Sequence, residues 1–188
     1  PILSPPGLAG KSGTSEAKHV LSTLKVRLEV QGVRWRSDWR QTWQNLFGTW
    51  QGQHSREIAL LPGSGHRNKE WPLPYFKHLA EKLSSQGWEP LFIIGEAERE
   101  RGLLPPPEFR REDPSPPLAL AQRLRQVRAV VSNDAGPAHL AGMYNVPGVV
   151  LFGPTSPEIW GVPGMVNLTS HDCYILNENS GLREFTAF

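Results

Sequence analysis

The chain has 188 residues, 38% of them hydrophobic and 20% charged, with 18 glycines, 18 prolines and a formal net charge of +2. That length suffices for one well-cored domain with part of a second and is too short for two full Rossmann-type lobes. The composition is that of a soluble globular protein with many loops, and the mild positive charge lacks the dense basic patch of a nucleic-acid binder, so no nucleic-acid partner is expected.

Cys173 has no second cysteine to pair with, and no Cys/His cluster has zinc-ligand spacing. A reducing, cytoplasmic setting with no metal and no cofactor is therefore expected. The longest apolar runs, such as Val149 to Phe152, fall far short of the ~20 residues needed to span a bilayer. The start, Pro1-Ile2-Leu3-Ser4-Pro5-Pro6, has no signal-peptide pattern. It also lacks an initiator Met, from which a piece of a longer chain is expected.

In chain order, residues 1 to 14 are rich in Pro, Gly and Ser and suit a loose entry segment. Val20, Leu21, Leu24 and Leu28 then recur at helical spacing and predict a helix over Ser15 to Val30. Trp35, Trp39, Trp43, Leu46 and Trp50 follow at intervals of four, four, three and four, which predicts an amphipathic helix over Arg34 to Trp50. Such a stripe, interleaved with Arg34, Arg36 and Arg40, suits either a membrane interface or base stacking, or packing against the domain core, which is the commoner use. Residues 1–56 read as a remnant or linker region carrying this helix, and residues 57–188 as the main domain.

From Glu57 onward short apolar runs alternate with helices: strand Ile58 to Leu61, helix Leu73 to Gln86, strand Leu91 to Ile94 and helix Glu96 to Leu103. After a Pro-rich stretch at 105–117 come helix Leu118 to Val127, strand Ala129 to Ser132, helix Pro137 to Tyr144 and strand Val149 to Phe152. The strands are continuously apolar, which predicts an α/β fold, a Rossmann-like parallel sheet with flanking helices. In such sheets ligands bind where strands end and helices begin.

The first junction, Pro62-Gly63-Ser64-Gly65-His66-Arg67-Asn68-Lys69, offers glycine backbone N–H groups, the Ser64 hydroxyl and the Lys69 cation to a phosphate, with Arg67 as a second cation. It lacks Walker A spacing, and a plain turn with a solvated lysine has the same composition. In the second, Ser132-Asn133-Asp134-Ala135-Gly136-Pro137-Ala138-His139, a proline suited to helix start stands behind Ala135 and Gly136. The N–H groups of Ala135, Gly136 and Ala138 at that helix start can hold an anion. Asp134 can cap the helix or orient the lysine, and His139 can reach a phosphate or satisfy a buried neighbour. In the third junction Gly95 ends a strand and Glu98 opens a helix; a carboxylate there can accept ribose hydroxyls or complement the helix dipole. The fourth, Phe152-Gly153-Pro154-Thr155-Ser156, can border the same pocket or serve as a rigid loop.

Taken in this order, Pro62-Gly63-Ser64-Gly65 with Lys69-x-Trp71-Pro72, then Asn133-Asp134-x-Gly136-Pro137-x-His139-x-Ala141, then Phe152-Gly153-Pro154-Thr155, resemble the C-terminal lobe of the ADP-heptose:lipopolysaccharide heptosyltransferases of glycosyltransferase family 9, over roughly residues 57 to 175. The resemblance implies a GT-B fold, in which two Rossmann-like lobes clasp a nucleotide sugar, here ADP-heptose or similar, and a lipopolysaccharide-core or other glycan acceptor. It implies Ser64, Gly65 and Lys69 on the diphosphate, Glu98 on the ribose, and Asp134, Ala135, Gly136 and His139 on the phosphates, with Lys69 stabilising the leaving group. Position 135 is Ala where the family commonly has Thr. The general base belongs to the family's N-terminal lobe, so none is expected in this chain, which is expected to be inactive alone. The resemblance also brings a cytoplasmic location with peripheral contact at the inner membrane. The alternative is a non-catalytic nucleotide-sugar-binding module lacking the acceptor lobe.

Overall fold

In the computed structural model, the described residues are 20–34 and 36–169. The chain divides into two compact units, residues 1–35 and 36–188. In the first, helix α1 spans Val20–Val30; Ser15 to His19 of the expected helix lie outside the described residues. Its Val26 and Val30 are exposed.

The second unit begins with helix α2, Trp39–Phe47, shorter than the expected run from Arg34 to Trp50. Gly48 ends it at a φ of 87°, a left-handed conformation that favours glycine. Any Cβ at this position would also lie 2.3 Å from the Arg125 guanidinium, which donates to the carbonyls of Phe47 and Thr49. The tryptophan stripe divides at this point. Trp43 packs on the core beside Tyr144, ring centroids 6.0 Å apart. Trp50, in the following loop, packs on the same cluster and donates from Nε1 to the Val127 carbonyl at 2.9 Å. Leu46 turns outward at 73% exposure, and Trp35 lies outside the described residues. The compact unit thus takes in the Trp-bearing helix and starts at Arg36, ahead of the Glu57 boundary read from the sequence.

Six strands follow in one sheet: β1 Glu57–Leu61, β2 Glu89–Ile93, β3 Arg110–Glu112, β4 Ala129–Asn133, β5 Gly148–Phe152 and β6 Val166–Thr169. Between them run α3 Leu73–Ser85, α4 Glu96–Glu100, α5 Pro117–Leu124, α6 Gly136–Met143 and α7 Pro157–Trp160. The order across the sheet is β3-β2-β1-β4-β5-β6, with every pair parallel. Alternate strand residues feed opposite faces, and helices cover both. Ala59, Leu61, Leu91, Ile93 and Val130 meet Ala121, Leu124, Ala141 and Tyr144 on one face. Ile58, Leu60 and Phe92 meet Phe76 and Ala80 of α3 on the other. Two-sided burial is the reason these strands read as unbroken apolar runs.

The strands β3 and β6 were not expected from the sequence. β3 is Arg-Arg-Glu, with no apolar residue to mark it. Charges fasten it instead: Arg110 Nη1 lies 2.6 Å from Glu57 Oε1, Arg123 Nε 2.6 Å from Glu112 Oε2, and Arg123 Nη2 2.8 Å from Glu57 Oε2. The hydrogen bond from Arg123 holds the Glu112 carboxyl below its ordinary range, against the opposing effect of partial burial. An edge strand fastened by charge is poorly suited to pairing with another chain.

Candidate functional site

The strand order places β4 on the far side of β1 from β2, so the chain reverses its direction of winding between β1 and β4. The carboxyl ends of the strands open a crevice at such a switch point. A cavity of about 350 Å³ lies there. Its walls come from the segments that leave successive strands: Gly63, Ser64 and Gly65 after β1, Gly95 and Glu98 after β2, Asp113 and Pro114 after β3, and Ala135, Gly136 and Pro137 after β4. Leu61, Ile93, Ile94 and Leu120 supply apolar wall.

Five of the residues singled out from the sequence, Ser64, Gly65, Glu98, Ala135 and Gly136, therefore line one cavity. Lys69, Asp134 and His139 are not among its lining residues. Lys69 closes a short 3-10 turn, Arg67–Lys69, and its Nζ lies 2.9 Å from Asp134 Oδ2. Thr155 Oγ1 donates to the same Asp134 oxygen at 2.7 Å. Asp134 thus orients the lysine and does not cap the helix: α6 has no side-chain cap. The helix start differs from expectation in one respect, because the Ala138 N–H donates to the Ala135 carbonyl at 3.1 Å and is spent within the first turn. His139 sits one turn into α6, partly buried.

Glu98 is held at both oxygens. Oε2 accepts from the Gly95 N–H at 2.9 Å and Oε1 lies 3.3 Å from Arg101 Nη2. Gly63 leaves room for this placement: a Cβ there would stand 2.4 Å from Glu98 Oε1 and displace the side chain. Ser64 is buried, its N–H donates to Glu70 Oε1 at 3.3 Å, and its hydroxyl donates to the His66 carbonyl at 2.6 Å. The loop's shape is thereby set before any ligand arrives.

Three supporting residues were not assigned roles from the sequence. Asn133, fully buried, donates from Nδ2 to the Pro62 carbonyl at 2.7 Å and accepts from the Trp71 N–H at 2.9 Å, tying the end of β4 to both ends of the first loop. Thr155 reaches back from the fourth junction to Asp134. Arg101 contacts Ser64, Glu70 and Glu98. The first two stand inside the recognised motifs; the signal for Arg101 was its position three residues after Glu98, one helical turn on.

The family model of glycosyltransferase family 9 (heptosyltransferase) matches residues 29–185. The chain belongs to this family. Lipopolysaccharide heptosyltransferase 1 of Pseudomonas aeruginosa is 36% identical over 111 residues, 57% of this chain and 31% of the relative. Lipopolysaccharide heptosyltransferase 2 of Escherichia coli is 29% identical over 111 residues, 54% of this chain and 32% of the relative. This family 9 chain thus spans about a third of the length of the curated relatives it matches.

Among solved structures, a family 9 glycosyl transferase from Veillonella parvula has a TM-score of 0.60 at 22% identity, covering 80% of this chain and 45% of that one. An Escherichia coli heptosyltransferase solved with ADP-2-deoxy-2-fluoro heptose has a TM-score of 0.60 at 19% identity, covering 91% of this chain and 57% of that one. The shared fold is the Rossmann-like parallel sheet with flanking helices that forms a lobe of the GT-B architecture. Among the described residues of this family 9 chain, no helix is long and apolar enough to cross a membrane.

Proposed function

We propose that this chain binds the donor of a sugar-transfer reaction, a nucleoside diphosphate sugar of the ADP-heptose class, for transfer to a lipopolysaccharide-core-type acceptor. The observation that carries the reading is the convergence of Ser64, Gly65, Glu98, Ala135 and Gly136 on one cavity at the sheet's switch point, with the Lys69–Asp134 pair beside it.

In this reading the diphosphate lies against the first loop, where the Ser64 N–H and hydroxyl are already spent on Glu70 and His66 and the Gly65 N–H remains to donate, and against the first residues of α6. A helix start has N–H groups without intrahelical partners and carries partial positive charge. Lys69 has three N–H donors and spends one on Asp134; the others serve the phosphate oxygens, and His139 adds a contact from one turn further along α6. As the bond to the anomeric carbon breaks, negative charge grows on the leaving diphosphate, and donors fixed in advance stabilise it without having to reorganise. Glu98 accepts the ribose hydroxyls, and the apolar wall of Leu61, Ile93, Ile94 and Leu120 faces the base. Where Thr is common in the family, Ala135 contributes its backbone and no hydroxyl. Attack on the anomeric carbon needs an acceptor hydroxyl and a base to deprotonate it; both belong to the acceptor side of the reaction, at the cytoplasmic face of the inner membrane.

Titration of the isotope-labelled chain with ADP, followed by amide NMR, tests the assignment. Saturable shifts centred on Ser64, Gly65, Ala135 and Gly136 are expected; saturable binding whose shifts lie elsewhere would refute it.

A further inference from the structure

Arg101, at the C-terminal end of α4, is a cation that the nucleotide contacts above leave unused. Its guanidinium reaches three residues on two segments, the first loop and α4: Nη2 donates to the Ser64 carbonyl at 3.0 Å and lies 3.3 Å from Glu98 Oε1, while Nη1 lies 2.9 Å from Glu70 Oε1. The side chains of Arg101, Glu98 and Glu70 are 26%, 20% and 14% exposed. Glu98 lines the cavity, whereas Arg101 is not among the lining residues and borders a separate hollow with Arg67, Glu70, Gly102 and Leu103. Arg101 therefore meets the carboxylate from outside the cavity.

A glutamate side chain has several rotamers, and a carboxylate facing a cavity has no reason to keep one of them unless it is held. Here the Gly95 N–H holds Oε2 and Arg101 holds Oε1. An ionised carboxylate has about four acceptor positions, so two remain, the number a ribose diol requires. A planar guanidinium fork can span Ser64, Glu70 and Glu98 together; a lysine ammonium is a single point charge and cannot.

We propose that Arg101 is a positioning residue that holds the Glu98 carboxylate in the orientation that accepts the two ribose hydroxyls of the bound nucleotide, without touching the nucleotide itself. The proposal rests on the reading of Glu98 as the ribose acceptor.

The test compares ADP with 2′,3′-dideoxy-ADP by calorimetry on the wild-type chain and on Arg101→Met, Arg101→Lys and Glu98→Gln, with a thermal melt of each. The wild-type chain is expected to prefer ADP by about tenfold or more, the range of a hydrogen bond to a charged group. Arg101→Met is expected to lose most of that preference while its affinity for the dideoxy nucleotide stays within about threefold, as expected when only hydrogen bonds to the ribose are lost. Equal losses for both nucleotides, or a preference left intact, would overturn the proposal. If Arg101→Met does not fold, Arg101→Lys decides: a diminished preference supports the role and an unchanged one refutes it. Glu98→Gln separates the two layers. A preference kept in Glu98→Gln removes the ribose reading and this proposal with it; one lost in Glu98→Gln but kept in Arg101→Met removes only the role of Arg101.

Discussion

The Lys69 ammonium stands 2.9 Å from Asp134 Oδ2, with the aspartate side chain 5% exposed and the lysine side chain 29%. The buried member anchors and the more exposed one remains available to a ligand. Lys69→Ala is therefore expected to act twice. It removes a cation from the phosphate site, lowering ADP affinity by about tenfold or more, and it leaves Asp134 with fewer donors, lowering unfolding free energy by about 1–3 kcal/mol. Calorimetry and urea denaturation measure the two effects separately; an unchanged ADP affinity would remove Lys69 from the site.

Thr155 shares the Asp134 oxygen with Lys69. Thr155→Val keeps the shape and deletes the donor, so a loss of about 1 kcal/mol in stability is expected, with weaker ADP binding because the lysine's anchor is less well held. Thr155→Ser restores a hydroxyl and should recover most of both. If valine and serine variants bind ADP alike, the hydroxyl plays no part in placing Lys69.

Asn133 provides a test of how the loop is held. Its amide joins the Pro62 carbonyl and the Trp71 N–H inside the protein. Asn133→Leu leaves both backbone groups buried without that partner, and a loss of roughly 2–4 kcal/mol is expected, the cost of two unmade hydrogen bonds. Chemical denaturation measures it; a loss below about 1 kcal/mol would show that the loop does not depend on Asn133.

Much of this arrangement was legible in the sequence because it depends on local pattern. The continuous apolar runs of β1, β2, β4 and β5 identified a two-sided sheet, and the small residues after them marked the crevice. Other features were hidden for physical reasons. β3 is a charged triplet whose pairing to β2 depends on Glu57 and Arg123, residues 53 and 11 positions away from their β3 partners. The helix-length reading of the tryptophans failed at Gly48, whose left-handed backbone breaks the period while Trp50 still reaches the core from a loop. Arg101 is marked in the sequence only by its spacing of three from Glu98; its contacts with Ser64 and Glu70 in the first loop join residues 37 and 31 positions apart, which no spacing rule reveals.

The charge network on β3 also implies a pH dependence. The Glu112 carboxyl is held low chiefly by the hydrogen bond from Arg123. A carboxyl whose folded value lies below its unfolded value stabilises the protein above the ordinary glutamate range, about pH 4.3, and that contribution is lost as pH falls through the depressed folded value. Arg123→Met is therefore expected to destabilise the protein more at neutral pH than at an acid pH below the depressed Glu112 value, where that carboxyl is protonated in both the folded and the unfolded chain. Denaturation midpoints at the two pH values check it; an equal penalty at both would show that Arg123 acts through packing alone.

Occupation of the crevice between the β1 and β4 loops by a nucleoside diphosphate is tested most directly by a crystal structure of the chain with ADP. The diphosphate is expected against the backbone of Ser64, Gly65, Ala135 and Gly136, with Lys69 Nζ at hydrogen-bond distance from a phosphate oxygen and the ribose on Glu98. A nucleotide bound outside this crevice, or bound in it with the ribose away from Glu98 and the phosphates away from Lys69, would contradict it.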